Sequence, residues 1–319
     1  MLPSPALVGR LAPSPTGSQH VGNARTYLLA WLSLRSRGGR VLLRMEDIDS
    51  PRIKAGAAEQ AIEDLRWLGL DWEEGPDLGG PHAPYVQTER LSLYREAFEA
   101  LQQADRVYPC TCTRTDVAAA ASAPHLGQEP PPYPGTCAHR SASDAAVLHR
   151  PYAWRFRTTD RERQLVDLVC GPQQANVAKT LGDFVVVKSD GTPAYQLAVV
   201  IDDHAMGVTE VVRGDDLLPS AFRQTEMYEF FGWQVPQFAH VPLVIGPDGR
   251  RLAKRHGDTK LSTLREQGIR SEALIGFLAY SCGLQPQPTS CRPQDLLAGF
   301  DLQKINRTPL TFRGDELLP

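Results

Sequence analysis

The sequence predicts an α/β fold: a split α/β domain interrupted by a cysteine-bearing insertion and followed by a mostly helical tail. Three observations predict it. A strand–turn–helix–strand unit stands at the start, an Ala/Pro/Gly-rich break interrupts the middle, and an amphipathic pattern near the end reads as helix.

The elements follow in order. Val8 to Ala12 reads as a strand running into Pro13-Ser14-Pro15-Thr16-Gly17, a turn built from Pro and Gly. A helix follows through Tyr27, Leu28, Trp31, Leu32 and Arg35, ended by Gly38-Gly39, and Val41 to Met45 is the next strand. A helix between two strands makes them parallel. A second helix over Ala58 to Leu68 places Ala58, Ile62, Leu65 and Leu68 on one face, and a third over Thr88 to Gln102 turns Leu91, Tyr94, Phe98 and Leu101 inward. Ala118 to Gly135 reads as a long loop. Regular patterns resume at Trp154 to Arg157, and Phe184–Val187, Leu197–Ile201 and Val208–Val212 read as strands. Ser271 to Tyr280 is an amphipathic helix. The expected division is a first half over 1–105, an insertion over 106–191, a second half over 192–245 and a tail over 246–319.

A chain of 319 residues can bury cores in one to three domains. Its 42% hydrophobic and 22% charged residues are those of an ordinary soluble protein. No apolar run approaches the roughly 20 residues needed to cross a bilayer, and the N-terminus lacks a signal-peptide pattern, so a cytoplasmic protein is expected. A net charge of -3 argues against nonspecific coating of nucleic acid. Of six cysteines, Cys110, Cys112 and Cys137 group together and read as metal ligands rather than a disulfide framework. Cys170, Cys282 and Cys291 read as buried thiols.

His20-Val21-Gly22-Asn23 falls between the first strand and its helix. Backbone N–H groups and the helix dipole at such a place face a bound anion. Gly22 lets a flat base pack on its backbone, and His20 can donate to a phosphate as charge develops. Far downstream, Arg251-Leu252-Ala253-Lys254-Arg255 holds three cations in five residues after a turn at Pro247-Asp248-Gly249. A mobile basic loop can fold over a triphosphate and stabilise departing pyrophosphate, with Lys254 as the contact. Each motif alone also fits a plain reading: a helix N-terminus with an incidental histidine, and a solvated basic loop.

Together the two segments resemble the HIGH region and the KMSKS loop of class I aminoacyl-tRNA synthetases, whose catalytic domain is Rossmann-like. The run Arg10-Leu11-Ala12-Pro13-Ser14-Pro15-Thr16-Gly17, continuing to His20-Val21-Gly22-Asn23-Ala24-Arg25, is similar to the glutamyl subgroup. Leu43–Asp49, Ala194–His204 and Val212–Leu218 agree in consistent order across most of residues 9–256. The resemblance implies an ATP site of His20, Gly22, Asn23, Arg251 and Lys254, with His20 and Lys254 catalytic and Mg²⁺ accompanying ATP. Arg251 stands where the loop motif has its first Lys, and Ala253 where it has Ser. Arg251 keeps the charge with different geometry.

Glutamate carries two carboxylates and one ammonium, so a selective site needs two cationic donors and one anionic acceptor. Arg10 and Arg213 can each hold a carboxylate through two parallel hydrogen bonds, Glu46 can accept from the ammonium, and Tyr195 and Ser14 can add hydroxyl contacts. By resemblance the glutamate-binding positions are Arg10, Leu11, Ala12, Pro13, Ser14, Glu46, Tyr195 and Arg213. The same charges also fit structural salt bridges.

Cys110-x-Cys112 followed by Tyr133-x3-Cys137-x-His139 is a zinc constellation of three thiolates and one further donor. Ligand chemistry favours His139 as the fourth donor, while the resemblance supports both Tyr133 and His139; His125 is weaker. One structural Zn²⁺ is expected, binding the insertion without a large core.

Only 64 residues follow Arg255, fewer than the anticodon-binding region of a full glutamyl enzyme needs. The pattern as a whole resembles the shortened glutamyl-queuosine branch of the family. That resemblance implies ATP-dependent, tRNA-independent activation of L-glutamate. Glutamate is then transferred to queuosine in the anticodon loop of tRNA(Asp), with no membrane and no obligate protein partner. The alternatives are a truncated glutamyl-tRNA synthetase charging a tRNA 3′ end, a nonenzymatic tRNA-binding paralogue, and a small cytidylyl or adenylyl transferase. His20, Lys254 and the glutamate set argue against the second. Arg10, Glu46, Arg213 and the metal spacing argue against the third.

Overall fold

The computed structural model describes residues 6–15, 19–48, 53–113, 115–117, 132–250, 252 and 259–313. Strand β1 (Val8–Leu11), helix α1 (Val21–Arg35) and strand β2 (Arg40–Leu43) form the expected unit, and the two strands pair in parallel with Arg10 opposite Leu42. Helix α1 is buried on nearly every side: Val21, Ala24, Leu28, Leu29, Trp31, Leu32 and Leu34 all lie within the core. That is the pattern of a helix sandwiched between a sheet and a further layer.

Helices α2 (Ala57–Trp67) and α3 (Leu91–Gln103) follow. On α2 and its end, Leu65 and Leu68 are fully buried while Ala58 and Ile62 are partly so. On α3, Tyr94 and Leu101 are buried and Phe98 packs on the same cluster, but Leu91 is 45% exposed, against expectation. It occupies the first residue of the helix, where a side chain can lie outside the core.

The middle of the chain forms an antiparallel sheet of β3 (Val107–Cys110), β4 (Ala153–Phe156) and β7 (Phe184–Val187) in the order β3-β4-β7. A separate hairpin pairs β5 (Glu162–Asp167) with β6 (Gly171–Asn176), followed by the short helix α4 (Val177–Thr180). Of the expected loop over Ala118–Gly135, residues 118–131 lie outside the described residues; 132–135 have no regular structure.

Leu197–Ile201 is not a strand. It lies in helix α5 (Tyr195–Ala205), and Leu197 through Asp203 are all buried. A short helix whose middle is wholly buried shows no polar side there, so an apolar run of this length fits strand and helix equally well. The strand expected at Val208–Val212 runs two residues later, as β8 (Glu210–Gly214). Helix α6 (Leu218–Phe231) and strand β9 (Gln237–Val241) complete this half, with β8 and β9 parallel and Arg213 opposite His240. The Thr209 amide donates to the Val8 carbonyl at 2.8 Å, and Arg10 reaches the Val212 carbonyl at 3.4 Å, so β8 runs beside β1 in the same direction. The order across this layer is β2, β1, β8, β9, with carboxyl ends on one side.

The tail contributes helices α7 (Leu261–Glu266) and α8 (Ser271–Ser281), and strand β11 (Leu310–Thr311), which pairs in parallel with β10 (Val244–Ile245). Leu274, Ile275, Leu278 and Phe312 join the same core as α1. Cys282 is buried as expected, whereas Cys170 and Cys291 are only half-buried. Among the described residues no helix is long and apolar enough to cross a membrane.

One packing contact is testable. A Cβ on Gly276, within α8, would overlap the Thr289 carbonyl oxygen and lie 3.0 Å from the Ser290 Cα. Alanine ordinarily improves a helix by about 1 kcal/mol over glycine. Here overpacking against backbone, typically costing about 1–3 kcal/mol, reverses the sign. Gly276→Ala is therefore expected to lower the denaturation midpoint, which thermal or urea melting reads directly.

Candidate active site

The carboxyl ends of the parallel strands gather charge. Arg10 on β1, Arg44 just after β2, and Arg213 on β8 are 6%, 0% and 5% exposed. The three are partnered differently. Arg44 is surrounded by carboxylates: Nη1 donates to Asp203 at 2.7 Å, Nη2 to Glu46 at 2.9 Å, and Nε, itself without a hydrogen bond, lies 3.8 Å from Asp202. Burial alone would lower its pKa; Asp203, Glu46 and Asp202 more than offset that and raise it well above the ordinary value. Asp202 also accepts from Gln87 at 2.9 Å, Arg90 at 2.7 Å and Tyr94 at 2.8 Å.

Arg10 is poorly served. Its Nε is 3.4 Å from Asp203 without hydrogen-bond geometry, and that buried nitrogen has no hydrogen-bond partner. Arg213 bonds only neutral acceptors among the described residues: His240 Nε2 at 3.0 Å, Gln224 Oε1 at 2.8 Å, the Leu217 carbonyl at 3.3 Å and the Tyr195 hydroxyl at 3.5 Å. A buried cation with neutral partners favours an anion beside it.

The remaining expected residues border these cations. Glu46 donates its backbone N–H to the Pro13 carbonyl at 3.0 Å, which sets the Arg44–Glu46 strand end against the Ala12–Pro13 turn. Tyr195 opens α5, and burial raises the pKa of its hydroxyl, which sits in the field of Arg213, Glu46, Arg10 and Asp203. Ser14 is exposed, Ala12 is half-buried, and Pro13 is buried. Leu11 has its side chain in the core, so only its backbone can face a ligand.

His20 has a local role that its motif did not disclose. It is the N-cap of α1: Nδ1 accepts from the Gly22 amide at 3.1 Å and the Asn23 amide at 3.3 Å, while Asn23 Oδ1 accepts from the His20 amide at 3.2 Å. This reciprocal cap, worth about 1 kcal/mol, occupies two of the N–H groups expected to face an anion. It also leaves the proton of a neutral His20 ring on Nε2. A Cβ on Gly22 would stand 3.0 Å from the His20 ring, so the glycine makes room for the imidazole itself.

Arg251, Ala253, Lys254 and Arg255 lie outside the described residues, but both flanks of that segment are placed. On one side Leu252 is in the core and its amide bonds the Val244 carbonyl at 3.2 Å. On the other, Lys260 bridges His20 backbone to backbone, and the Leu261 amide donates to the Gln19 carbonyl at 2.9 Å. The chain that follows the basic segment thus pairs with Gln19 and His20.

In the middle of the chain, the sulfurs of Cys110, Cys112 and Cys137 lie within 4.8 Å of one another and form a group that could hold a metal ion. The Tyr133 hydroxyl is 3.3 Å from Cys110 Sγ and 3.7 Å from Cys112 Sγ, and it accepts the Cys137 amide at 2.8 Å. The Arg155 guanidinium stacks 3.8 Å over the Tyr133 ring and donates to Cys110 Sγ at 3.3 Å. Burial would raise the Cys137 thiol, but hydrogen bonds from neighbouring groups bring it down to about 7. His139 is exposed and outside the cluster, whereas the Tyr133 hydroxyl lies beside the sulfurs. His125 lies outside the described residues.

Sequence reasoning missed Arg44, Asp203, Gln224, His240 and Asp167, whose partners lie far along the chain. It also missed Arg25, a buried residue of α1 whose Nη1 donates to the Pro242 carbonyl while Nε and Nη2 have no hydrogen-bond partner. For Arg44 and Asp203 a signal was present, since both stand inside the quoted motifs.

Parallel strands with a helix N-terminus and a cluster of buried cations at their carboxyl ends follow the general rule for ligand sites in open α/β sheets. This architecture is that of a class I synthetase catalytic domain. Residues 6–306 match the family described as tRNA synthetases class I (E and Q), catalytic domain, and the chain belongs to that family. It is 52% identical to a Glutamyl-Q tRNA(Asp) synthetase of Symbiobacterium thermophilum, over 98% of this chain and 97% of that protein. It is 50% identical to a Glutamyl-Q tRNA(Asp) synthetase of Rhodopirellula baltica, over 95% of each. Its fold is similar to the crystal structure of a glutamate-tRNA synthetase from Elizabethkingia anophelis, with a TM-score of 0.82 at 31% identity, covering 97% of this chain and 68% of that one.

The buried His240 sets a pH dependence of stability. Burial lowers the imidazole pKa, the Asp167 bond opposing and the Arg213 charge assisting. Unfolded, the same ring takes a proton near pH 6.5. Below that pH the unfolded chain binds more protons than the folded one, so the stability present above about pH 6.5 is lost as pH falls toward the folded pKa. The melting temperature is expected to decline more steeply below about pH 6.5 in the wild type than in His240→Gln. Equal slopes for the two proteins would contradict this.

Proposed function

We propose that the chain activates L-glutamate with ATP, without tRNA, and transfers the glutamyl group to queuosine in the anticodon loop of tRNA(Asp). The observation that carries the glutamate reading is the pair of under-compensated buried arginines. Arg213 has neutral partners, Arg10 has only the Asp203 oxygen that Arg44 also uses, and both flank Tyr195 and Glu46. Two such cations suit the two carboxylates, and Glu46 suits the ammonium. The names of the relatives support the second substrate. A truncated enzyme charging a tRNA 3′ end is the rival that the experiment must separate. The division into 1–105 and 192–245 as catalytic halves, 106–191 as insertion and 246–319 as loop and tail follows the same reading. A tRNA substrate agrees with a cytoplasmic location.

In the first step the glutamate α-carboxylate attacks the α-phosphorus of ATP and pyrophosphate leaves. Arg10 and Arg213 orient glutamate, and Leu11 to Ser14 lie along its edge. His20, Gly22 and Asn23 border the nucleotide, with the Nε2 proton of His20 as donor to the developing charge. Arg251 and Lys254 neutralise the departing pyrophosphate. Positioning and electrostatics do most of the work, with no protein nucleophile. Mg²⁺ enters with ATP as part of the substrate.

The reading predicts glutamate-dependent ATP–pyrophosphate exchange in the absence of tRNA, and labelling of tRNA(Asp) only when it carries queuosine. No exchange would refute activation; labelling independent of queuosine would favour the truncated enzyme. Lys254→Ala is expected to cut the exchange rate by about a hundredfold, in line with loss of one electrostatic donor at a reacting centre.

For the metal, we read Cys110, Cys112, Cys137 and Tyr133 as ligands of one structural Zn²⁺, which when bound would clamp the inserted segment. His139→Ala is expected to keep one zinc per chain, and Tyr133→Phe to release zinc more readily to a chelator. The opposite pattern in metal analysis would reinstate His139.

A further inference from the structure

We infer that Asp167 and His240 act as a positioning pair for Arg213, fixing the direction in which its guanidinium presents itself to the substrate carboxylate. The inference rests on the reading of Arg213 as a glutamate ligand. His240 and Arg213 are register partners on β9 and β8, so their side chains emerge together. His240 is 0% exposed; its Nδ1 is 2.5 Å from Asp167 Oδ2, and its Nε2 is 3.0 Å from Arg213 Nε. Arginine has no acceptor, so Nε2 must be the unprotonated nitrogen and Nδ1 must carry the proton. The chain of donors therefore runs one way, from Arg213 Nε to His240 and from His240 Nδ1 to Asp167.

This direction is enforced from behind. Asp167 ends β5, and its Oδ1 accepts three backbone amides: Val169 at 3.0 Å, Cys170 at 2.8 Å and His240 at 3.1 Å. Only Oδ2 is left to take the imidazole proton. The hairpin that carries Asp167 is itself pinned to β9, the Leu168 amide donating to the Phe238 carbonyl at 2.9 Å. On the other side Gln224 fixes Nη1 of Arg213, and Gln224 is itself held by α5, its Nε2 donating to Gln196 Oε1 at 3.0 Å. With Nε held by His240, Nη1 by Gln224 and one Nη2 proton by the Leu217 carbonyl, the guanidinium keeps its second Nη2 proton and the long Tyr195 contact for a ligand. A segment of the inserted stretch thereby reaches the amino-acid pocket through a single side chain.

Asp167→Asn tests the pair with almost no change of volume. The three amide donors hold the carbonyl oxygen of the substituted side chain where Oδ1 was, so its NH₂ falls where Oδ2 was and faces His240 Nδ1. The imidazole must then carry its proton on Nε2, pointing at Arg213 Nε–H, and a wrong-tautomer histidine is a costly defect even where geometry survives. In glutamate-dependent pyrophosphate exchange, Asp167→Asn and His240→Leu are expected to raise the KM for glutamate by about ten- to a hundredfold. The KM for ATP should stay within about twofold of wild type on the same argument, because no ATP-site residue is touched. His240→Gln, whose amide oxygen can accept from Arg213 while its NH₂ serves Asp167, should recover most of the loss. Nitrogen-15 NMR should find His240 protonated on Nδ1 in the wild type. A wild-type His240 protonated on Nε2, or folded Asp167→Asn and His240→Leu proteins with unchanged glutamate KM, would overturn the inference. Arg213→Gln separates the two levels. If it leaves the glutamate KM unchanged, the glutamate reading of Arg213 fails and the pair loses its object. If it raises the KM while Asp167→Asn and His240→Leu do not, only the positioning role fails.

Discussion

The constraint on which this site depends is the cost of burying a guanidinium. Arg10, Arg44 and Arg213 are withdrawn from water at the carboxyl ends of adjacent strands, and an uncompensated buried charge is worth several kcal/mol against the fold. Arg44 meets that cost inside the protein, with Asp202, Asp203 and Glu46 around it. It is the structural member of the three, and it also fixes Glu46. Among the described residues Arg213 has no carboxylate partner, and Arg10 has only the Asp203 oxygen that Arg44 also uses. The same chemistry therefore separates an arginine that holds the fold from two that suit a ligand, and the separation follows from partners rather than from burial, which is nearly equal in all three.

The parallel register brings these groups together. β1 and β2 deliver Arg10 and the Arg44–Glu46 pair to one edge, β8 and β9 deliver Arg213 and His240, and the start of α5 adds Tyr195. Helix α1 begins on the same side, capped by His20, whose backbone pairs with Lys260. Distant stretches of the sequence therefore meet at the N-terminus of α1. The buried faces of α1 and α8 join one core, and this keeps the tail packed against the helix that carries the cap.

Much of this was legible in the sequence because the relevant residues stand in short, ordered runs. Arg10, Glu46, Tyr195 and Arg213 do converge, and Cys110, Cys112 and Cys137 do form one cluster. What could not be read has a common physical cause. The helix at Tyr195–Ala205 hides its period because its middle is wholly buried. The cap at His20 uses an imidazole and the Asn23 amide as acceptors for backbone N–H groups, residue types outside the usual Ser/Thr and Glu/Gln capping pattern. Only His240 meets Arg213 through strand register; Asp167 and Gln224 arrive on β5 and α6, and nothing in the immediate sequence of the three sets them apart. Ligand chemistry favours His139 over a tyrosine, yet His139 lies outside the cluster, while the Tyr133 hydroxyl lies beside the sulfurs with Arg155 packed on its ring.

On the proposed reading, with Arg213 placed at the side-chain carboxylate, its neutral shell also accounts for discrimination between glutamate and glutamine. Were Arg213 already paired with a carboxylate, as Arg44 is, an incoming amide and an incoming carboxylate would find nearly the same partner. With His240, Gln224, Tyr195 and the Leu217 carbonyl as its only described acceptors, the guanidinium gains its counter-charge from the ligand alone. A neutral amide satisfies hydrogen bonds but leaves the buried cation uncompensated, and that difference is on the order of several kcal/mol. A neutral histidine is the suitable neighbour for this purpose: it accepts from Nε without supplying charge, and Asp167, one hydrogen bond further away, keeps it in the accepting form. Selectivity for the acidic side chain would then come from what the protein withholds from Arg213 as much as from what it provides.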